Sequence, residues 1–316
     1  MDDSQFFCDR ILLLVDKPGC FPVAEFFNGK MLLRRFTITE QSPIFRSRIV
    51  DFTDADFPWP FLIVGLIRDG RAMMPKGQTV MEKNDIIYVL LPSESIAEFI
   101  TFINPIPQPY ESIIFYGSSF VAQEIAQKLS LAHKKFTILE EIKEEKKNLK
   151  EIFMKSNLMP ADIFIAASDN KDKNKMMASC AKQLGVKITI AMMFNQEASL
   201  FHTADMDYII SKQDDFSKRA PNNQPVFTIK ELLYYNIHLT ECVVQKGSLA
   251  VKNPLKDLDI PPDCLIGSVM RGEKIFLAKG DTQFCPSDRV MIFSIGVCQQ
   301  QCLILFSRKR LFRKPF

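Results

Sequence analysis

The residues best suited to chemistry lie where an apolar run meets a glycine turn. Residues 112–116 read as a buried strand and Gly117 opens a turn. Val121, Ile125 and Leu129 then recur at helical spacing, with Ala122 and Ala126 beside them. A strand, a glycine turn and a helix in that order suit the pyrophosphate of a dinucleotide, because backbone amides and the helix N-terminus favour an anion there. The three positions of the G-x-G-x-x-G fingerprint are here Gly117, Ser119 and Ala122, and the turn runs through Ser118, Phe120 and Val121. Alanine is accepted at the third position. Ser119 puts a Cβ where backbone should approach phosphate, so its hydroxyl either donates to the phosphate or crowds it.

An acidic residue stands where a ribose would need one. Glu140 ends the next strand-like run, FTIL, at about the ~20-residue offset where a carboxylate accepts from ribose hydroxyls. It also opens a charged helical stretch, EEIKEEKKNLKE, where an acid suits the positive end of the helix dipole. Both roles are compatible.

Other chemistry has little footing. The three histidines, His133, His202 and His238, have no partner nearby in sequence for general-base work. No GxSxG elbow, HExxH helix, Walker lysine loop or EF-hand loop occurs. The eight cysteines include no CxxC pair, and Cys298 and Cys302 flank three glutamines as packing thiols rather than metal ligands. Reduced thiols are the natural reading.

The elements that position these residues fall into a pattern that repeats. Residues 62–89 align without a gap on residues 265–292, matching Arg68 to Arg271, Lys76 to Lys279, Gly77 to Gly280, Thr79 to Thr282 and Asp85 to Asp288. Both copies predict an antiparallel meander preceded by a further strand and a proline turn. The shared Lys-Gly-x-Thr serves either as a ligand loop or, more simply, as a tight turn whose glycine takes a positive φ. Between the copies, apolar β-type runs alternate with helical stretches, the pattern of a parallel sheet. From Glu140 to Ala161 there is room for one helix but not for a further strand, so the sheet is expected to lack its third strand. The fold class is therefore α/β: a shortened Rossmann-like parallel sheet domain flanked by two small α+β domains. The expected boundaries are 1–30 for a remnant and linker helix, 31–104 for the first α+β domain, and 110–220 for the nucleotide-binding domain. The second α+β domain takes 228–308 and a basic tail 309–316.

Composition narrows the partners. Hydrophobic residues at 47% and charged residues at 24% are ordinary for a folded chain, which excludes a disordered or fibrous one. A net charge of +3 is too small to steer the whole molecule onto nucleic acid, so no nucleic-acid partner is expected. No apolar run approaches the ~20 residues of a membrane span. The tail SRKRLFRKPF concentrates basic residues around two phenylalanines, as a solvated tail or as a segment attracted to anionic lipid.

ASDNKDKN, at 167–174, opens a helix after a strand and resembles the corresponding stretch of the regulator-of-potassium-conductance family. Ser168, Asp169 and Asn174 stand at the matching positions. The flanking repeats, with SPIFRSRIVDF, LIRDGRAMMPKGQTVMEKND and VMRGEKIFLAKGDTQFCPSD, are similar to the small C-terminal ligand domain of the same family. The resemblance covers nearly all of the chain from about residue 10. It implies a cytoplasmic regulator, peripheral on the inner face of the plasma membrane, that assembles as a homo-oligomer or ring with an integral-membrane potassium transporter subunit. It also implies NAD or NADH as cofactor, with ATP or ADP as alternatives, and cofactor-binding roles for Ser168, Asp169 and Asn174. Free energy of nucleotide binding would then be coupled to ion flux through different affinities for two ring states. Against the family's two pairs of Rossmann and C-terminal domains, this sequence holds three domains and starts beyond the first Rossmann domain. Two rivals follow from the same residues. One is an NAD-dependent oxidoreductase, since fold alone does not decide function. The other is a degenerate ring subunit that assembles but binds nucleotide poorly or not at all.

Overall fold

A computed structural model describes residues 3–16, 19–52, 59–103, 112–139, 161–193, 206–211, 217–219, 225–227, 229–296 and 298–308. The chain divides into two compact units. Residues 1–18 and 108–214 make one, and residues 19–107 and 215–316 make the other.

Helix α1 (Asp3–Asp16) opens the first unit. The second unit begins with β1 (Phe21–Phe26), β2 (Met31–Thr37), β3 (Leu62–Arg68), β4 (Arg71–Met73), β5 (Ile86–Pro92) and α2 (Ile96–Ile103). These strands form an antiparallel sheet ordered β1-β2-β5-β3-β4, with Phe36, Ile63, Leu66, Ile87, Val89 and Phe99 in its core. Phe21–Phe26 is the edge strand of this sheet, paired with β2, although it precedes the boundary expected at residue 31.

The middle of the chain supplies the first unit's sheet. Its elements are β6 (Ile113–Tyr116), α3 (Phe120–Leu131), β7 (Phe136–Leu139), β8 (Ile163–Ala166), α4 (Lys171–Gln183), β9 (Ile188–Met193) and β10 (Tyr208–Ser211). All pairings are parallel and the order is β10-β9-β8-β6-β7. Strands β6, β8 and β9 are buried along their whole length, as strands covered on both faces must be, which explains their unbroken apolar runs. Among the described residues β7 is an edge strand, and its Ile138 is accordingly half exposed. The expectation of a missing third strand falls on residues 140–160, outside the described residues.

Helix α1 is an integral part of this unit. Phe7, Cys8, Ile11, Leu14 and Val15 form the buried stripe of an amphipathic helix. The Cys8 thiol donates to Glu124 at 3.2 Å and also approaches the Val121 carbonyl. Lys128 pairs with Asp9 and Lys134 with Asp16, so α1 lies along α3.

The second repeat comprises β11 (Ser217–Arg219), β12 (Pro225–Phe227), α5 (Lys230–Tyr234), β13 (Ile237–Val243), α6 (Leu249–Lys252), β14 (Cys264–Arg271), β15 (Lys274–Leu277), β16 (Arg289–Ile295) and α7 (Gln299–Phe306). Its sheet order, β11-β12-β13-β16-β14-β15, contains the same succession as the first sheet, β13-β16-β14-β15 answering β2-β5-β3-β4. Even the β-bulge recurs, at Ile63/Gly65 and at Ile266/Val269. The two repeats lie in one compact unit. Where they meet, glycines make room. A Cβ on Gly65 would lie 3.3 Å from Ile237 Cδ1, and one on Gly267 would lie 3.1 Å from Leu90 Cδ2 and 2.7 Å from the Phe293 ring.

Candidate functional site

Strand β6 runs next to β7 on one side and β8 on the other, so the chain changes direction across the sheet between β6 and β8. In an open parallel sheet such a switch point leaves a crevice beyond the carboxyl ends of the strands, where ligands bind. Gly117 and the N-terminus of α3 stand at that point. Gly117 has φ +103°, and a Cβ on it would lie 2.6 Å from the backbone of Ser168. Only glycine lets the turn after β6 pass this close to the turn after β8. The Gly117 amide donates to Leu139 and the Ala167 amide to Tyr116, which ties the ends of β6, β7 and β8 together.

Ser119 neither donates toward the crevice nor crowds it. Its side chain is buried and caps α3, the hydroxyl accepting from the Ala122 amide at 3.2 Å and donating to the Ala167 carbonyl. The hydroxyl proton and one of its lone pairs are thereby taken up within the scaffold. Of the amides in the first turn of α3, that of Ala122 is capped by Ser119 Oγ and that of Gln123 donates to the Ser119 carbonyl. Ser118 and Phe120 are exposed at the turn, and Gln123 reaches back to the Ser118 carbonyl at 3.1 Å. Val121 and Ala122 are buried.

Ser168 and Asn174 are fully buried and bond to each other. Asn174 Oδ1 accepts from the Ser168 amide at 2.9 Å and from its hydroxyl at 2.6 Å. Its Nδ2 donates to the carbonyls of Ser168 and Met192, each at 2.8 Å. Asn174 therefore clasps the turn after β8 to the end of β9. Asp169 is exposed beside this turn. Glu140 lies outside the described residues, so the geometry here includes the turn 117–122 and the turn 168–174 without it.

Two contributors carry no side-chain signature. The carbonyls of Ala167 and Met192 are backbone acceptors that any residue would provide. Asn170 was legible in principle: it caps α4 by accepting from the amides of Asp172 and Lys173, and Asn before a helical run is a standard start signal. Among the described residues no cluster of His, Cys, Asp and Glu is arranged to hold a metal. His133 sits exposed on a turn and His238 contacts Asn236 at 3.0 Å, while His202 lies outside the described residues.

The matched residues of the two repeats form duplicate turns. Arg68 grips Asp85 through Nε and Nη2 at 2.8 and 2.6 Å, and Arg271 grips Asp288 at 2.9 and 2.8 Å. Each aspartate is buried, accepts from the amide three residues earlier, and raises the pKa of its arginine through these hydrogen bonds. The Thr79 hydroxyl accepts from the Lys76 amide at 2.9 Å and that of Thr282 from Lys279 at 2.8 Å. Lys-Gly-x-Thr is thus a self-closed turn. Its glycines are not in the left-handed region, contrary to the positive φ expected of them; their carbonyls accept from Val50 and Lys256.

Fold and site together define a Rossmann-like parallel sheet with a glycine turn at its switch point, accompanied by a duplicated α+β repeat. Residues 33–104 match the model of the TrkA-C domain. Along most of its length the chain is similar to the Trk system potassium uptake proteins TrkA. It is 22% identical to the Archaeoglobus fulgidus TrkA homolog over 298 residues, covering 89% of this chain and 67% of the relative. It is 21% identical to TrkA of Vibrio alginolyticus over 305 residues, covering 90% and 67%. The chain thus spans about two thirds of the length of these relatives, which are named as potassium uptake proteins and not as enzymes. Among solved structures, the GsuK RCK domain aligns with a TM-score of 0.46 at 13% identity, over 95% of this chain and 69% of that one.

Proposed function

We propose that this protein is a regulatory subunit of a potassium uptake system, which binds an adenine dinucleotide, NAD or NADH, at the turn 117–122 and controls ion flux through an integral-membrane transporter. The observation that carries the nucleotide reading is the seat of Gly117. It holds the first turn of α3 at the switch point of a parallel sheet, where the N-terminus of a helix favours an anion. The TrkA relatives support the potassium reading. Phosphate would be held by the amides from Ser118 onward and by the helix dipole, and Glu140 would accept from the ribose. Ring assembly, and placement at the inner face of the membrane, belong to the same proposal. No helix among the described residues is long and apolar enough to cross a membrane, so the conducting path is assigned to the partner.

Calorimetric titration of the folded chain with NAD, NADH, ATP and ADP tests the site. Binding of a dinucleotide to the wild type and its weakening in Glu140→Ala are expected. Absence of binding to the wild type would favour the degenerate ring subunit, a reading to which the inward-turned Ser119 hydroxyl gives specific weight. Co-purification with a multi-spanning potassium transporter, followed by ion flux with and without nucleotide, tests regulation. Steady oxidation of NADH with a small substrate would establish the oxidoreductase instead.

A further inference from the structure

The second repeat gathers four of the chain's cysteines into one core. Cys242 lies on β13, Cys264 begins β14, Cys298 stands at the N-cap of α7 and Cys302 lies one turn further on. Cys242, Cys264 and Cys302 are buried in a single apolar cluster, and Cys298 packs against its edge. The Sγ atoms of Cys264 and Cys298 are 3.2 Å apart. Cys298 Sγ also lies 3.2 Å from the Ile295 carbonyl and 3.4 Å from that of Asp263. Its own proton can therefore go to a carbonyl while its lone pair faces Cys264. A metal site is not formed here among the described residues.

We propose that Cys264 and Cys298 form a reversible disulfide by exchange with a low-molecular-weight disulfide, with Cys298 as the entering thiol and Cys264 as the resolving thiol. The assignment of roles follows from access. Cys298 is partly exposed, whereas Cys264 is 7% exposed and faces the core. In the first step the Cys298 thiolate attacks one sulfur of the small disulfide; that S–S bond breaks and one small thiolate leaves. In the second, the Cys264 thiolate attacks the Cys298 sulfur of the mixed disulfide and expels the other small thiolate. Two protein thiols are oxidised and one disulfide is reduced to two thiols, the protein's two protons passing to the departing thiolates. The sulfurs need to close from 3.2 Å to the ~2.05 Å of the bond, a movement of roughly an ångström between the start of β14 and the N-terminus of α7. Burial raises the pKa of the Cys264 thiol well above its ordinary value, which slows the second step at neutral pH. The product would staple the last helix of the unit to β14. Cytosolic disulfides of this transient kind are usually redox-sensing ones.

The test uses the full chain incubated with oxidised glutathione, followed by alkylation of free thiols and peptide mass spectrometry. The expected result is a peptide cross-link between Cys264 and Cys298, reversed by dithiothreitol, while Cys242 and Cys302 stay free. Cys264→Ser should accumulate one glutathione on Cys298, and Cys298→Ser should carry none at Cys264. If both thiols remain alkylated as in the reduced protein, or if the cross-link joins Cys298 to Cys302, the proposal is overturned. Mapping the wild type decides the matter even if a variant fails to fold.

Discussion

Asn174→Ala separates a residue that touches ligand from one that builds the crevice. In the native protein the side chain makes four hydrogen bonds, all to groups at the ends of β8 and β9. At a net ~1 kcal/mol each they contribute about 4 kcal/mol. Truncation also removes these partners from the Ser168 amide and from the carbonyls of Ser168 and Met192 in a fully buried setting. A water entering the space would recover part of that loss, and the void it leaves would cost part of it back. The expected destabilisation is therefore about 3–5 kcal/mol, a large share of the 5–15 kcal/mol typical of a folded protein. Urea unfolding monitored by circular dichroism should show the corresponding loss in the midpoint, together with weaker nucleotide binding only insofar as the turn is loosened. Asn174→Asp keeps the acceptor but sets a second carboxylate oxygen against the Ser168 and Met192 carbonyls in a fully buried site, so it should cost at least as much as Asn174→Ala. An Asn174→Ala protein with an unchanged midpoint and abolished nucleotide binding would refute this reasoning and return Asn174 to the ligand.

Two further predictions follow from the described packing. Asp85→Asn and Asp288→Asn should cost about 2–3 kcal/mol each, and by similar amounts, because both carboxylates are buried while their arginines retain access to water; urea midpoints of the two variants check the equivalence. Burial and Glu124 push the Cys8 thiol up from 9.0 to about 12, so the folded state holds this proton more tightly than the unfolded one. That stabilisation is complete below about pH 9 and is lost as pH rises toward 12, hence Cys8→Ala should lose less stability than the wild type in unfolding measured between pH 9 and 11.

Much of the architecture was legible without coordinates because it rests on local periodicity. The buried runs of β6, β8 and β9, the helical spacing of Val121, Ile125 and Leu129, and the repeated Arg, Lys-Gly-x-Thr and Asp pattern each state their element in a few consecutive residues. The turn at Gly117 was legible for the same reason, since a strand, a glycine and a helix are contiguous. What the side chains of that turn do was not. Whether Ser119 turns outward to a phosphate or inward to Ala167 depends on a carbonyl 48 positions away. The same holds for Asn174, whose partner Met192 sits on another strand.

By itself, then, the sequence determined the alternation of elements, the duplication, and the glycine on which the turn after β6 depends, because periodicity, repetition and backbone freedom are local properties. Only the tertiary structure decided that α1 lies along α3, that the two repeats share one unit, that Ser119, Ser168 and Asn174 spend their hydrogen bonds on the scaffold, and that Cys264 meets Cys298. Each of these depends on atoms remote in the chain becoming neighbours, and buried polar groups take whichever partners that approach provides.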